Sequence, residues 1–141
     1  MLRKAVETLR TYVLDRLPSI FRALEVEPFA VPQIPFSLIH GLDGHGGSPH
    51  ADSIDGRYSI SLLYYFHRVP KVFRGGDLAL YEADTGSASG HRTEPITSIE
   101  NEDNLLLAFK SNTYHGVTDV QCDSREFGDG RFVAVSFLGV P

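Results

Sequence analysis

Pro49-His50-Ala51-Asp52, set directly after the glycine-rich Gly44-His45-Gly46-Gly47-Ser48, decides how this 141-residue chain reads. His50 and Asp52 are two positions apart, so on a strand both side chains point to one face. On the inner face of a barrel they would converge on one point. A second histidine, His115, lies at the start of Tyr114-His115-Gly116-Val117, which reads as another strand. A lone His-x-Asp pair carries little weight, because most such pairs lie on surfaces or in turns. Its meaning depends on the elements around it.

Outward from that pair the chain is β-type. Strands are expected over Phe36–Gly41, Pro49–Ser53, Arg57–Phe66, Asp77–Glu82, Glu94–Ile99, Asn104–Phe109, Tyr114–Gln121 and Arg131–Leu138. Asp43-Gly44, Asp55-Gly56, Gly75-Gly76, Gly86 to Gly90, Glu102-Asp103 and Asp129-Gly130 supply the breaks. Eight short strands at this spacing suggest a sandwich or barrel, and a double-stranded β-helix, or jelly roll, fits best. Ahead of them, Leu2, Val6, Leu9, Val13 and Leu17 recur at helical spacing and predict an amphipathic helix over residues 1–17. Pro18 should stop or bend it, with a second short helix at Ser19–Leu24. The expected protein is mainly β and a single domain over 1–141. Short helices within 1–27 pack outside a jelly-roll core at 34–141.

Composition narrows the function classes. Hydrophobic residues make up 42% of the chain, with nine Phe and six Tyr, which excludes a disordered protein. The net charge of −5 comes without a basic stripe, so nucleic acid is not an expected partner. A single cysteine, Cys122, excludes an internal disulfide framework and fits a reducing, cytoplasmic setting. No apolar run approaches the roughly 18 residues that a membrane span needs, so no membrane partner is expected. Oligomeric state is not fixed by the sequence.

Two imidazoles and one carboxylate on one face of a metal make the facial triad of non-haem iron(II) oxygenases. Such a site keeps positions open for a co-substrate and for dioxygen. His50, Asp52 and His115 are the candidates. Arg131 opens the otherwise apolar run Arg131-Phe132-Val133-Ala134-Val135-Ser136-Phe137-Leu138. A buried guanidinium needs an anionic partner. That partner is either a nearby acid or a ligand carboxylate, which arginine grips bidentately. Arg125 is the rival, but it lies in the polar loop Cys122–Gly130 and reads as solvated. His45, His67 and His91 sit in or beside turns and read as surface or loop residues. Gly75-Gly76 reads as a hairpin turn, with Asp77 a turn or surface acid rather than a ligand. Gly44–Ser48 has no following helix and no Lys-Ser/Thr, so it reads as a flexible lip beside the metal, not a phosphate loop.

Residues 34–141 resemble the prolyl 4-hydroxylase-like branch of the 2-oxoglutarate- and iron(II)-dependent dioxygenases. The matching pieces begin with His50-Ala51-Asp52, Asp55-Gly56-Arg57 and Leu62-Leu63-Tyr64-Tyr65-Phe66. They continue through Gly75-Gly76-Asp77-Leu78-Ala79-Leu80-Tyr81, Asn104-Leu105-Leu106-Leu107-Ala108-Phe109, Tyr114-His115-Gly116-Val117 and Arg131 to Phe137. Order and spacing hold across all of them.

The resemblance implies that His50, Asp52 and His115 bind Fe(II) and that Arg131 holds the distal carboxylate of 2-oxoglutarate. Tyr65 occupies the position that often shares this carboxylate, with core packing as its bland alternative, and Tyr64 should point to the opposite face. The implied reaction uses dioxygen to hydroxylate an unactivated C–H bond of a small-molecule or peptidyl substrate, a prolyl residue or an amino-acid-like compound. 2-Oxoglutarate is decarboxylated to succinate, with ascorbate an optional auxiliary. Related halogenases carry a small residue where this chain has Asp52, so hydroxylation is the implied outcome. Two departures stand out. Arg131 lies sixteen positions after His115, further than usual, which suggests a lengthened turn at Ser124–Gly130. Where the family often has a tyrosine on the strand leading to the site, this chain reads Leu38-Ile39-His40-Gly41-Leu42. Either His40 replaces that contact or the contact is lost. Two other readings compete: a cupin-like metal-binding or catalytically inactive jelly roll used for protein–protein contact, and, more weakly, a zinc hydrolase. No second acid is clearly placed as that hydrolase's base.

Overall fold

The short β-type runs become eight strands in the computed structural model, which describes residues 2–140. They are β1 (Ser37–Gly41), β2 (Gly47–His50), β3 (Ile60–Phe66), β4 (Leu78–Ala83), β5 (His91–Ile99), β6 (Leu105–Lys110), β7 (Tyr114–Val117) and β8 (Arg131–Leu138). Two four-stranded antiparallel sheets form, ordered β1-β8-β3-β6 and β2-β7-β4-β5. This is the expected jelly-roll architecture.

Both faces of the first sheet are covered, which is why its central strands are apolar almost throughout. On the inner face Leu63, Tyr65, Val133, Val135 and Phe109 meet Leu78 and Leu80 of the second sheet. On the outer face Ile60, Leu62 and Leu138 meet Val13, Leu17 and Phe21 of helix α1 (Leu2–Ala23). Tyr64 points outward, and its hydroxyl donates to Asn104 Oδ1 at 2.6 Å.

One helix replaces the expected two, because α1 continues through Pro18. Proline removes the bond to the carbonyl of Leu14, but Leu14 is exposed, so water can satisfy that oxygen. Leu17 and Phe21, buried on either side, hold the helix across the break. The helix ends in a Schellman motif: Val26 N–H donates to Phe21 O at 2.9 Å and Glu25 N–H to Arg22 O at 3.2 Å. Glu25 takes the left-handed position with φ of 53°.

Two strands differ from expectation near the site. The expected Pro49–Ser53 is instead Gly47–His50, so Asp52 lies in a bend beyond β2 rather than on it. β7 stops at Val117, and residues 118–121 then bond to two loops: Gly76 N–H reaches Thr118 O, Val120 N–H reaches His45 O and Arg74 N–H reaches Gln121 O. Gly75-Gly76 is therefore not a hairpin turn. Both glycines do have positive φ, 72° and 70°, as that reading required. No helix among the described residues is long and apolar enough to cross a membrane.

Candidate functional site

His50 and His115 are direct cross-strand partners between β2 and β7, so their rings share one face, 4.5 Å apart between centroids. Asp52 swings in from the bend: its Oδ1 lies 3.3 Å from His50 Nε2 and 3.5 Å from His115 Nε2. The edge of an octahedron with bonds of about 2.1 Å is roughly 3 Å, so small movements would close this set around one ion. Ligating atoms of the three all lie within 4.8 Å of one another.

The surroundings prepare the donor atoms. His50 Nδ1 lies 2.9 Å from Ser48 O, and His115 Nδ1 lies 2.9 Å from Thr113 O. A proton on each Nδ1 leaves both Nε2 lone pairs free toward Asp52. Burial lowers the His115 pKa, against the opposing pull of the Thr113 carbonyl and Asp52, which favours the neutral ring a metal needs. Asp52 Oδ2 accepts from Ser61 Oγ at 2.6 Å, and Ser61 Oγ lies 2.9 Å from Ser111 Oγ. His115 is buried, whereas the His50 side chain is 55% exposed. The site therefore opens to solvent on the His50 side.

Deeper between the sheets lies Arg131, 2% exposed. Its Nε donates to Gly76 O at 3.0 Å, and no carboxylate lies within ion-pair reach of it among the described residues. Gly76 must be glycine here: its φ is positive, and a Cβ would strike the Arg131 stem. The Arg131 guanidinium stands 5.2 Å from the Tyr65 ring centroid. The Tyr65 hydroxyl is buried with no hydrogen-bond partner, and burial raises its pKa despite the nearby Arg131 charge, so it stays a donor. Asn101, fully buried, presents an unpartnered Oδ1 while its Nδ2 lies 3.4 Å from the same Gly76 carbonyl. Unpaired polar atoms are rare in native interiors, and here the Tyr65 hydroxyl, a donor, stands beside an unpaired guanidinium. Those two donors suit an anionic ligand, whereas Asn101 Oδ1 can only accept and takes no part in holding one.

The other sequence candidates separate from this centre. His40 pairs with Phe132 across β1 and β8 and packs its ring on Phe127 and Phe132, with Nε2 2.9 Å from Phe127 O. It lies on the outer face, away from Arg131 and Tyr65. Arg125 is exposed. The segment before Arg131 is an ordered loop: a 3-10 turn at Phe127–Asp129 is held by Asp129, which accepts from Arg68 at 2.5 Å and Ser124 Oγ at 2.7 Å. Asp77 is not a free surface acid: it accepts the Asn101 backbone N–H at 2.9 Å. His67 and His45 are more buried than turn positions suggested, since His67 Nε2 and His45 Nδ1 are both enclosed without partners. Sequence reading missed Ser61, Ser111 and Asn101; only Ser61, inside the apolar run Ile60–Phe66, offered a signal, since Ser111 and Asn101 sit in polar segments.

A jelly roll with a His-x-Asp…His cluster at its open side and an unpaired inner arginine defines the facial-triad metal oxygenase class. The chain belongs to the 2OG-Fe(II) oxygenase superfamily, whose family profile matches residues 36–139. It is 31% identical over 133 residues to an uncharacterized PKHD-type hydroxylase of Synechocystis sp., covering 92% of this chain and 44% of that protein. The chain thus spans less than half the length of that relative. The crystal structure of a Pseudomonas putida prolyl-4-hydroxylase superposes with a TM-score of 0.63 at 17% identity, covering 97% of this chain and 66% of that one.

Proposed function

We propose that this protein is a 2-oxoglutarate-dependent Fe(II) dioxygenase that hydroxylates an unactivated C–H bond of a prolyl residue or amino-acid-like substrate. Family membership supports the iron and keto-acid chemistry. The observation that carries the reading for this chain is Arg131, a buried guanidinium with no acid among the described residues to neutralise it. A metal-binding module or inactive scaffold has no use for such a charge, which destabilises an interior unless a ligand completes it.

In this reading His50, Asp52 and His115 hold Fe(II), Ser61 fixes the Asp52 carboxylate, and Arg131 with Tyr65 grips the far carboxylate of 2-oxoglutarate. Bound iron and keto acid would supply oxygen activation, coupling decarboxylation to succinate with insertion of one oxygen atom into the substrate. The protein's share is orientation: the inner pocket fixes the keto acid, and the exposed side of His50 leaves room for substrate. The jelly-roll core, residues 34–141, carries the site, with the segment 1–27, which contains α1, as support in a single domain. A cytoplasmic setting is in keeping with the one free, buried cysteine. Ascorbate would act only to rescue oxidised iron.

The test is succinate formation by the Fe(II)-loaded protein, with free proline, prolyl peptides and other amino acids offered in turn. Stoichiometric succinate and hydroxylated product from one of these supports the proposal. Metal binding with no consumption of 2-oxoglutarate under any condition would return the protein to the binding-module reading.

A further inference from the structure

β1 and β8 place Gly41 directly opposite Arg131. Gly41 carries no side chain on the inner face, and its space is taken: a Cβ there would collide with the imidazole of His45. The His45 ring therefore lies over Gly41 on the strand position that neighbours Arg131. Its backbone is fixed, not loose. His45 N–H donates to Leu42 O at 3.1 Å, its carbonyl accepts from Val120 at 2.8 Å, and Gly44 N–H donates to Val120 O at 2.8 Å. Val120, which carries this pairing, also lines the Gly76 cradle of the Arg131 stem. Gly44 and His45 are thus tied by backbone bonds to Val120, beside the Arg131 stem. His45 Nδ1 is buried with nothing to bond to.

We propose that His45 is a third contact for the distal carboxylate of 2-oxoglutarate, donating from Nδ1–H beside Arg131 and Tyr65. The inference rests on the reading of Arg131 as the co-substrate clamp. His40, the histidine on β1 itself, packs on Phe127 and Phe132 on the outer side, and the space over Gly41 is filled by an imidazole arriving from the next turn. The neutral ring is the fitting form, because burial and the Arg131 charge both oppose protonation. Three donors, one charged and two neutral, can satisfy a carboxylate's four lone-pair positions better than arginine alone.

The test compares 2-oxoglutarate with 2-oxopentanoate, the same keto acid with a methyl group in place of the distal carboxylate. Both are titrated anaerobically into the full chain loaded with Mn(II), using wild type, His45→Phe, His45→Asn and Arg131→Met. His45→Phe should weaken 2-oxoglutarate binding about 10- to 100-fold, the usual worth of a hydrogen bond to a charged group, and leave 2-oxopentanoate and Mn(II) binding unchanged. His45→Asn, which keeps an N–H near the Nδ1 position, should restore most of the loss. In wild type, the His45 ring nitrogens should shift in 15N spectra on adding 2-oxoglutarate to metal-free protein, and 2-oxopentanoate should leave them in place. If Arg131→Met removes the preference for the dicarboxylate while His45→Phe keeps it, the His45 assignment falls and the clamp stands. If wild type itself shows no preference, the Arg131 reading fails, and the His45 contact fails with it.

Discussion

Replacing Arg131 with methionine should leave the unliganded protein no less stable and strip it of its preference for 2-oxoglutarate over a keto acid without the distal carboxylate. The change removes one hydrogen bond, Nε to Gly76 O at 3.0 Å, worth about 1 kcal/mol. It also removes a charge held at 2% exposure with no carboxylate partner among the described residues, a burden of several kcal/mol after relaxation. Methionine can keep the packing against Gly76. The net expectation is a gain of about 1–2 kcal/mol, or about 3–8 °C in melting temperature for a domain of this size. Wild type should instead gain about 2.7 kcal/mol when 2-oxoglutarate is raised to 100 times its dissociation constant with Mn(II) present, and the variant far less at the same concentration. Thermal and urea unfolding with and without the keto acid measure both quantities. A loss of about 3–5 kcal/mol in the unliganded variant, the usual result of breaking a buried ion pair, would refute the argument.

Further consequences follow from the same geometry. Ser61→Ala leaves Asp52 Oδ2 without its 2.6 Å donor and should lower metal affinity by about 10- to 100-fold, as outer-shell changes do; Mn(II) titration reads this directly. Gly76→Ala forces a side chain into positive φ against Arg131, so it should cost at least about 1 kcal/mol in urea unfolding and weaken 2-oxoglutarate binding more than metal binding. Glu25→Gly relieves the left-handed residue ending α1 and should stabilise the fold by up to about 1 kcal/mol without touching metal affinity.

What the sequence disclosed follows from where its rules are local. The convergence of His50, Asp52 and His115 was legible because a metal-site motif restricts residue types, and the burial of Arg131 because one charge heads an apolar strand. Tyr65 and Tyr64 were separated correctly because strand alternation is strict. The reading of Asp52 as a strand residue was wrong in mechanism though right in outcome: a bend fastened to Ser61 does what alternation was thought to do. Pro18 misled because burial of Leu17 and Phe21 overrides a local helix breaker. His45 was hidden for a different reason. Its importance depends on the missing side chain of Gly41 and on a register with Arg131 that only the folded sheet creates.

In the proposed function, one site between the sheets binds iron through the triad and 2-oxoglutarate through Arg131. Anaerobic titration of the metal-free protein with Fe(II) and 2-oxoglutarate tests it most directly, by the weak visible charge-transfer band of the iron–keto acid chelate. The band should appear only when both are present and decay with succinate formation when oxygen is admitted. Tight Fe(II) binding with no band at saturating 2-oxoglutarate would contradict it.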